Sequence, residues 1–267
     1  MLNLWRQVNK TCRDMTPLYS RLTDAAHVWV LKVENSNDKT LTRDILGILN
    51  RQERERYERF HFDRDRHLFL SAHGLKRLVL SRYFDCAPDE WVFEANQNGR
   101  PEIAAPLSAV NQLRVNLTHT RGLAACVVTA QIACGIDAEH RHSLNDLQTL
   151  SESVLHQSEL CVFRTLPASD RLNRFFDFWV VKEACAKACG RGLSLPLRKL
   201  SIEFSRCWTQ PSVHKAPDNL HWQTSLMHPT SGHHLAVAVE TAEPVDVSVI
   251  WMSANLRSLF ANRDAQG

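Results

Sequence analysis

The sequence predicts an α+β fold, because strand patterns and long helical patterns occur in both parts of the chain. The run from Leu123 to Ile136 is nearly all apolar with a short polar break, which predicts two buried strands joined by a tight turn. Residues 63–84 and 168–189 repeat apolar side chains every three to four positions, which predicts two long helices. A chain of 267 residues is long enough for one large domain or two small ones.

The other elements are predicted from alternation, helical spacing and turn residues. No structure is predicted for residues 1–26, and the chain after Ala254 is expected to fray. Strands are predicted at residues 27–33, 91–94, 113–117, 199–205, 222–227, 234–240 and 245–251, and a turn at 96–99. Further helices are predicted at residues 41–60, 146–155 and 159–166. The polar break near residues 129–133 separates a predicted N-terminal half, 1–129, from a predicted C-terminal half, 130–267.

The composition favours a cytoplasmic protein that binds neither nucleic acid nor a membrane. A formal net charge of +3 is too small to predict nucleic-acid binding, although it suits an anionic small ligand and an acidic partner. The fourteen-residue apolar run is too short to span a bilayer, and residues 1–6 lack the pattern of a signal peptide. The eight cysteines include no CxxC pair, so we expect free, mostly buried thiols, as in a reducing compartment.

One face of the helix predicted at residues 168–189 combines an aromatic residue with two charges. Trp179, Glu183 and Lys187 are four residues apart and therefore lie along one face. Glu183 and Lys187 could form an ordinary i,i+4 ion pair at the edge of a buried face, worth roughly a few tenths of a kcal/mol. A functional role for this face requires further carboxylates elsewhere in the chain.

Such carboxylates follow the apolar run. Asp137 and Glu139 point to the same side of an extended strand, because side chains alternate along it. Two adjacent carboxylates repel each other, so the pKa of one should rise unless a cation lies between them. Oxygen ligands from few residues suit Mg²⁺, which keeps water and takes further ligands from substrate phosphates. The alternative is a strand that runs out to solvent at its charged end.

These residues belong to a series of ordered motifs. Gly-Ile-Asp-x-Glu occupies 135–139, and Trp-x-x-Lys-Glu-x-x-x-Lys-x-x-Gly-x-Gly-Leu occupies 179–193. Gln-Asn-Gly-Arg-Pro occupies 97–101, Val-Asn-Leu-Thr-His-Thr 115–120, and Gly-Leu-Ser-Leu-Pro-Leu 192–197. Together they resemble the 4'-phosphopantetheinyl transferases, and most closely the larger, Sfp-type class. The resemblance covers roughly residues 50–205.

The resemblance implies two similar α+β halves that form a pseudo-dimer within one chain, with the active site between them. It implies transfer of the 4'-phosphopantetheine arm of coenzyme A to a serine of an acyl, aryl or peptidyl carrier protein, with release of 3',5'-ADP. Coenzyme A would be the co-substrate and Mg²⁺ the cofactor. Because one chain supplies both halves, we expect a monomer. The sequence does not specify whether the carrier serves fatty acid, polyketide or nonribosomal peptide synthesis.

The resemblance also implies which residues hold the metal and which act in catalysis. Asp137, Glu139 and Glu183 would hold Mg²⁺, with pyrophosphate oxygens and water as further ligands. Glu183, or a metal-bound water that it orients, would be the general base. Lys187 would neutralise or protonate the leaving phosphate. Lys182 points about 100° away from Glu183 around the helix and would serve either a phosphate or the fold.

The residues implied in coenzyme A binding come from several segments: Arg56, Arg100, Thr118, His119, Asp137 and Lys187. Arg56 lies in a charged segment that corresponds to a basic one holding the 3'-phosphate in the family, whereas Glu53 stands where some members have lysine. Thr118 and Thr120 replace the usual serines, which keeps the hydroxyl and adds a methyl group. From the residues alone, residues 51–59 are a solvated charged segment, Arg100 is solvated and His119 is a loop histidine without a ligand.

Two rival functions remain open at the level of sequence. A different Mg²⁺-dependent phosphotransfer or phosphohydrolase enzyme would use the same three carboxylates but leaves His119 and Lys187 unexplained. A non-catalytic relative that binds carrier proteins would be expected to lack a metal ligand or the lysine. Trp179 is assigned to packing that fixes the helix, in preference to the alternative that it contacts a ligand. By analogy only, Arg141 and residues 154–166 are placed on the carrier-docking surface.

Overall fold

The computed structural model describes residues 15–34, 38–106, 109, 112–190, 195–205, 208, 210–216, 221–241 and 248–261. Its α-helices are α1 (Lys39–Ile48), α2 (Arg51–Arg59), α3 (Asp63–Leu80), α4 (Leu147–Val154), α5 (Gln157–Thr165), α6 (Ala168–Ala188) and α7 (Leu256–Ala261). Its first strands are β1 (Ala25–Lys32), β2 (Val92–Ala95), β3 (Pro101–Ala105), β4 (Leu113–Thr120), β5 (Leu123–Ala130) and β6 (Cys134–His140). The later strands are β7 (Ser201–Phe204), β8 (Pro211–Lys215), β9 (His221–Thr230), β10 (His233–Thr241) and β11 (Ser248–Ser253).

The α+β prediction is confirmed, and the predicted elements are present with shifted ends. The helix predicted at 41–60 is two helices, because the Asn50 side chain accepts a hydrogen bond from the Glu53 N–H and caps a new helix there. The strand predicted at 113–117 continues through Thr120, so the Thr-His-Thr stretch lies in β4 and not in a loop. Strands β3 and β8 and helix α7 were not predicted.

Two sheets pack face to face between the two long helices. The first sheet has the strand order β11-β1-β5-β4, and the second has β6-β10-β9. In β5, Cys126 packs in the core with α3, whereas Val127 packs against the second sheet. In β10, Ala236 packs with α6, whereas Val237 packs against the first sheet. The layers are therefore α3, first sheet, second sheet and α6, which confirms two similar halves that meet through their sheets.

The end of the described chain returns to the first half. Strand β11 pairs in parallel with β1, with Ala25 opposite Ser248, and Leu259 of α7 lies in the core beneath α3. The expectation that the chain frays after Ala254 is therefore wrong for α7. The boundary at residues 129 and 130 stays a prediction, because β11 and α7 follow the second half in sequence but pack with the first.

Three further sequence predictions can be compared with the structure: the C-terminal end of α6, the state of the cysteine thiols and the character of the helices with respect to a bilayer. Helix α6 ends at Ala188, and Gly190 takes a positive φ of 70° that suits glycine, whereas Gly192 and Leu193 lie outside the described residues. The described cysteines form no disulfide bond with one another, as predicted, and Cys161 among them is exposed. Within the described part of the chain, no helix combines the length and apolar character needed to cross a bilayer.

Candidate active site

Strand β6 lies very close to helix α6, and a glycine makes this approach possible. A Cβ atom on Gly135 would lie 2.1 Å from the Ala184 carbonyl oxygen and 2.4 Å from the Ala188 nitrogen. Because side chains alternate along a strand, Gly135, Asp137 and Glu139 all face α6. The contact explains the glycine of the Gly-Ile-Asp-x-Glu motif, for which the sequence alone offered no reason.

The predicted carboxylates and lysine come together between β6 and α6. Lys187 Nζ lies 2.6 Å from Asp137 Oδ1 and donates a second hydrogen bond to the Ile136 carbonyl oxygen at 3.0 Å. Lys187 on α6 thus forms an ion pair with Asp137 on β6. The sequence alone had suggested Glu183, on the same helix, as its partner. Asp137 Oδ2 and Glu183 Oε1 are buried and have no hydrogen-bond partner among the described residues. Burying a charged oxygen without a partner is unfavourable, so a bound cation or donor would stabilise this cluster.

The carboxylates influence one another electrostatically. Burial raises the pKa of Glu183, the charge of Asp137 raises it further, and Lys187 opposes both. Burial also raises the pKa of Glu139, again with a contribution from Asp137, while the charge of Lys187 and a hydrogen bond from the Trp179 side chain lower it. Both glutamates therefore respond to Asp137, which is the crowding that the sequence predicts for two carboxylates on one side of a strand.

Trp179 has a polar role in addition to packing. Its ring lies beside Phe175, with 6.0 Å between ring centroids, and it packs against the core of the second half. Its side chain also lies close enough to Glu139 to help lower the pKa of that carboxyl. In addition to the packing assigned from sequence, the indole therefore acts on a predicted metal ligand.

The donor set fits a hard divalent cation such as Mg²⁺. Asp137, Glu139 and Glu183 offer only oxygen atoms, and two buried oxygens of the set lack a partner within the described chain. Their ligand atoms do not all lie within 4.8 Å of one another, so the three side chains do not form a closed cage. An incomplete oxygen set is typical of Mg²⁺ sites that keep water and take phosphate oxygens as ligands.

A cavity of about 230 Å³ lies beside this cluster, where β4 of the first half meets β6 of the second. Its lining consists of Leu117, Thr118, His119, Asp137, Ala138, Glu139 and Lys187. Most of the residues predicted to bind coenzyme A or metal therefore border one space at the junction of the halves.

Arg56 and Lys187 bring positive charge close to His119 in this region. Burial lowers the pKa of His119, and the charges of Lys187 and Arg56 lower it further. The three side chains come from β4, α6 and α2, so the fold gathers them from distant parts of the sequence. Arg56 is exposed, and its guanidinium lies 5.4 Å from the centroid of the Phe69 ring. An anionic ligand would suit this position, although the contacts predicted for Arg56 and His119 stay predictions.

Arg100 occupies a structural position that the sequence did not predict. Its guanidinium donates hydrogen bonds to the Lys187 and Ala188 carbonyl oxygens at the C-terminal end of α6 and to the Cys134 carbonyl oxygen before the carboxylates. Its Nε also lies 3.1 Å from Glu102 Oε1. Arg100 is therefore not solvated, and it fastens the β2–β3 hairpin of the first half to the active-site helix. The contact with nucleotide predicted for Arg100 stays a prediction.

The sequence predicts that residues 51–59 form a solvated charged segment, and the burial of Glu53 shows that this prediction is wrong for that residue. It is buried, lies 2.7 Å from Arg77 Nη2 and 2.8 Å from His73 Nδ1, and accepts a hydrogen bond from the Asn50 N–H. Burial alone would raise its pKa, but the hydrogen bond from His73 and the charges of Lys76 and Arg77 lower it. Burial lowers the pKa of His73 to about 4 and that of Lys76 to about 8. A carboxylate fits here because it balances these basic groups.

A ladder of side chains joins β4 to β6. The two strands belong to different sheets, and polar side chains of β4 accept hydrogen bonds from alternate N–H groups of β6. The pairs are Ile136 N–H with Asn116 Oδ1 (3.0 Å), Ala138 N–H with Thr118 Oγ1 (3.1 Å) and His140 N–H with Thr120 Oγ1 (3.1 Å). The ladder fixes the backbone on both sides of Asp137 and Glu139. The alternation of polar residues in β4 was the sequence signal for it.

We expect Thr118→Val to lower the free energy of unfolding by about 1–3 kcal/mol, because it leaves the buried Ala138 N–H without an acceptor. Thr118→Ser keeps the hydroxyl and should stay much closer to wild type. Denaturant unfolding of the three proteins measures the difference. Equal stability of the Val and Ser variants would contradict the structural role. A loss of coenzyme A affinity in the Val variant that the Ser variant does not share would report the ligand contact predicted for the Thr118 hydroxyl.

Comparison with known families shows which family the chain belongs to. Residues 133–238 match the family described as the 4'-phosphopantetheinyl transferase superfamily, and residues 37–131 match the one described as 4'-phosphopantetheinyl transferase, N-terminal. The chain belongs to the 4'-phosphopantetheinyl transferase superfamily. Because both halves of the transferase are matched, the larger, Sfp-type class predicted from the motifs is confirmed.

Two individual relatives agree with this assignment. The 4'-phosphopantetheinyl transferase HetI of a Nostoc species is 29% identical over 224 residues, covering 84% of this chain and 91% of the relative. The transferase Sfp of Bacillus subtilis is 25% identical over 159 residues, covering 60% and 68%. A crystal structure of a holo-(acyl-carrier-protein) synthase from Bacillus anthracis in complex with CoA (3',5'-ADP) is 21% identical, with a TM-score of 0.37, over 42% of this chain and 98% of that one. The chain is thus an enzyme of the class that moves phosphopantetheine from coenzyme A to carrier proteins.

Proposed function

We propose that this transferase converts an apo carrier protein to its holo form with Mg²⁺ as cofactor. It moves the 4'-phosphopantetheine arm of coenzyme A to a serine hydroxyl and releases 3',5'-ADP. The observation that carries the metal-dependent form of this reaction is the pair of buried oxygens without partners in the described chain, Asp137 Oδ2 and Glu183 Oε1. They belong to the carboxylate cluster beside the cavity between the halves.

The site combines a carboxylate cluster that suits a metal ion with the Lys187 ammonium, and the reaction requires positive charge at the pyrophosphate. Asp137, Glu139 and Glu183 would hold the Mg²⁺, which when bound neutralises the pyrophosphate and favours displacement at phosphorus. Lys187 already places an ammonium at this cluster, 2.6 Å from Asp137 Oδ1. Its position suits a group that contacts the pyrophosphate and then stabilises the phosphate of 3',5'-ADP as it leaves.

Glu183 is the side chain best suited to take the proton of the serine. Its Oε1 has no hydrogen-bond partner among the described residues. With the ion held by one carboxylate oxygen, the other would accept the proton directly or orient a water that does. Burial and the charge of Asp137 raise the pKa of this carboxyl, and a bound cation would oppose that rise. In the transfer, the serine oxygen bonds to phosphorus, the bond from phosphorus to the 3',5'-ADP oxygen breaks, and the serine proton passes to Glu183 or to that water.

The remaining predicted contacts divide between the two substrates. Arg56 and His119 lie near the cationic end of the cavity, which suits the 3'-phosphate of coenzyme A. Arg141 donates a hydrogen bond to the Asn173 side chain on α6, and residues 154–166 contain α5, on which Val162 is exposed. These positions are where we place the carrier protein. A monomer in a reducing cytoplasm suits a chain with two halves and with no disulfide bond among its described cysteines.

The test is the intact mass of an apo acyl carrier protein after incubation with this protein, coenzyme A and Mg²⁺. Transfer adds one phosphopantetheine arm, a gain of about 340 Da from its formula, and removal of the metal with EDTA should abolish the gain. Carriers from fatty acid, polyketide and nonribosomal peptide synthesis, tested in parallel, define the range of partners.

The possible outcomes separate the rival functions. A mass gain that survives EDTA would contradict the metal assignment but keep the transferase. No gain on any carrier, with coenzyme A still bound, would favour a non-catalytic relative. Hydrolysis of coenzyme A without a change in carrier mass would favour a phosphohydrolase built on the same carboxylates.

A further inference from the structure

A second group of metal-ligating side chains lies on the same helix, one to two turns before the carboxylate cluster. Asp177 is on α6, His228 on β9 and His234 on β10, and their ligand atoms all lie within 4.8 Å of one another. Among the described residues, this is the only group of three or more His, Cys, Asp or Glu side chains with that property. We propose that Asp177, His228 and His234 form a second metal site, distinct from the Mg²⁺ site, that binds Zn²⁺.

The three side chains already converge on one point. Asp177 Oδ1 accepts hydrogen bonds from His234 Nδ1 at 2.7 Å and from His228 Nε2 at 2.8 Å. Asp177 and His234 are almost fully buried, whereas the His228 side chain is 45% exposed. The group therefore has a rigid inner wall and one side open to solvent, through which an ion can enter and water can complete the coordination.

The backbone of the second sheet has a β-bulge at this position. The register of β9 and β10 shifts by one residue between His233 and Leu235, so His228 and Pro229 lie opposite His234. A bulge of this kind re-aims side chains relative to a regular ladder. It places two imidazoles of neighbouring strands on the side of the sheet that faces Asp177.

The donor atoms distinguish this site from the oxygen site, which is the cluster of Asp137, Glu139 and Glu183. Two imidazole nitrogens and one carboxylate oxygen are ligands that Zn²⁺ prefers, whereas Mg²⁺ prefers oxygen alone. Arg174 Nη1 donates to Asp177 Oδ2 at 3.0 Å, which leaves Oδ1 directed at the histidines and fixes the orientation of the carboxylate. Three protein ligands with one open position are a common arrangement for Zn²⁺.

The group needs only a small adjustment to admit an ion. Ligand atoms around a tetrahedral Zn²⁺ lie roughly 3.3 Å apart, from bonds of about 2.0–2.1 Å. The two hydrogen-bonded distances of 2.7 and 2.8 Å must therefore open by about half an ångström. The exposed His228 can supply the movement for one of them, and a small side-chain rotation of Asp177 must supply it for the other. Each imidazole proton now donated to Asp177 would move to the other ring nitrogen, which leaves the coordinating nitrogen with its lone pair.

An ion at this position would fasten α6 to the second sheet near the active site. His234 is the direct strand partner of Glu139, and Asp177 precedes Glu183 on the same helix. Binding should therefore raise the thermal stability of the transferase. The opposing possibility is that the three side chains form only a hydrogen-bonded staple, which would hold α6 in the same place without metal.

The test measures Zn²⁺ binding by the full chain after treatment with a chelator, in excess Mg²⁺ so that the oxygen site is occupied. We expect one Zn²⁺ per chain by elemental analysis and a rise in melting temperature on addition of Zn²⁺. Substitution with Co²⁺ should give visible absorption bands of tetrahedral intensity. His228→Gln should weaken Zn²⁺ binding at least tenfold and abolish both signals, and because His228 is partly exposed the variant should still fold.

His214→Gln is the matched control. His214 is also a partly exposed strand histidine paired with one carboxylate, since its Nε2 lies 3.1 Å from Glu203 Oε2. This variant should bind Zn²⁺ as the wild type does, which separates the proposed site from general binding to surface histidines and thiols. Failure of the wild type to retain stoichiometric Zn²⁺, or equal retention by His228→Gln, would overturn the proposal and leave the staple. None of these outcomes depends on transfer activity.

Discussion

Asp137→Asn is expected to lower the rate of phosphopantetheine transfer by on the order of 100-fold or more. The substitution removes the charge that couples to both Glu139 and Glu183, while the amide oxygen can still accept the hydrogen bond from Lys187. The fold should be retained, because removing the central carboxylate relieves repulsion inside a buried cluster. The time course of carrier mass gain, at increasing Mg²⁺, measures both the rate and the demand for metal.

Asp170→Asn is a suitable control for this substitution. Asp170 is an exposed carboxylate in the first turn of the same helix. Its substitution by asparagine therefore changes the net charge as Asp137→Asn does, but leaves the carboxylate cluster intact. Its transfer rate should match the wild type. Near-normal, Mg²⁺-dependent transfer by Asp137→Asn would show that the metal is held elsewhere, whereas loss of folding would show that the carboxylate is structural.

The central helix and strand of the site could be predicted because their signals are local. Apolar spacing defined α6, and alternation placed Asp137 and Glu139 on one side of β6. The same spacing placed Lys187 on one face of α6 with Trp179 and Glu183, and the structure turns that face to β6, where Lys187 lies 2.6 Å from Asp137. Periodicity reports which face of an element is buried, so it performs well for residues whose neighbours lie on a single packed face.

The features that were missed depend on contacts between distant segments. Arg100 resembles a solvated turn residue in sequence, and only the packing of the β2–β3 hairpin against α6 gives its guanidinium three carbonyl oxygens. Glu53 lies in a run of charges, and only the adjacent α3 shows that it is buried against His73 and Arg77. The pairing of β11 with β1 joins opposite ends of the described chain. Local patterns carry no information about such partners.

Lys182→Met is expected to lower the free energy of unfolding by about 3–5 kcal/mol, because it leaves a buried charge without its partner. Lys182 and Glu159 are both fully buried, with 2.9 Å between Nζ and Oε2. The ammonium also donates to the Leu197 and Leu200 carbonyl oxygens. Of the two roles left open by the sequence, the structure therefore supports the fold and not a phosphate contact. Chemical denaturation measures the loss, and adding Glu159→Gln should recover part of it.

Lys187→Met provides the sharpest comparison, because it makes the same change five residues later on the same helix. Lys187 is 28% exposed and borders the cavity, so water can reach the Asp137 carboxylate that its loss leaves unpaired, and the stability cost should be about 1–3 kcal/mol, below that of Lys182→Met. It should slow transfer by on the order of 10- to 100-fold, because an ammonium beside the pyrophosphate is lost. If Lys182→Met instead kept its stability and lost transfer, the buried pair would not be structural, and the roles of the two lysines would have to be exchanged. The two lysines differ in direction: Lys182 points into the protein core, and Lys187 points into the space between the halves, where we propose that it serves the transfer.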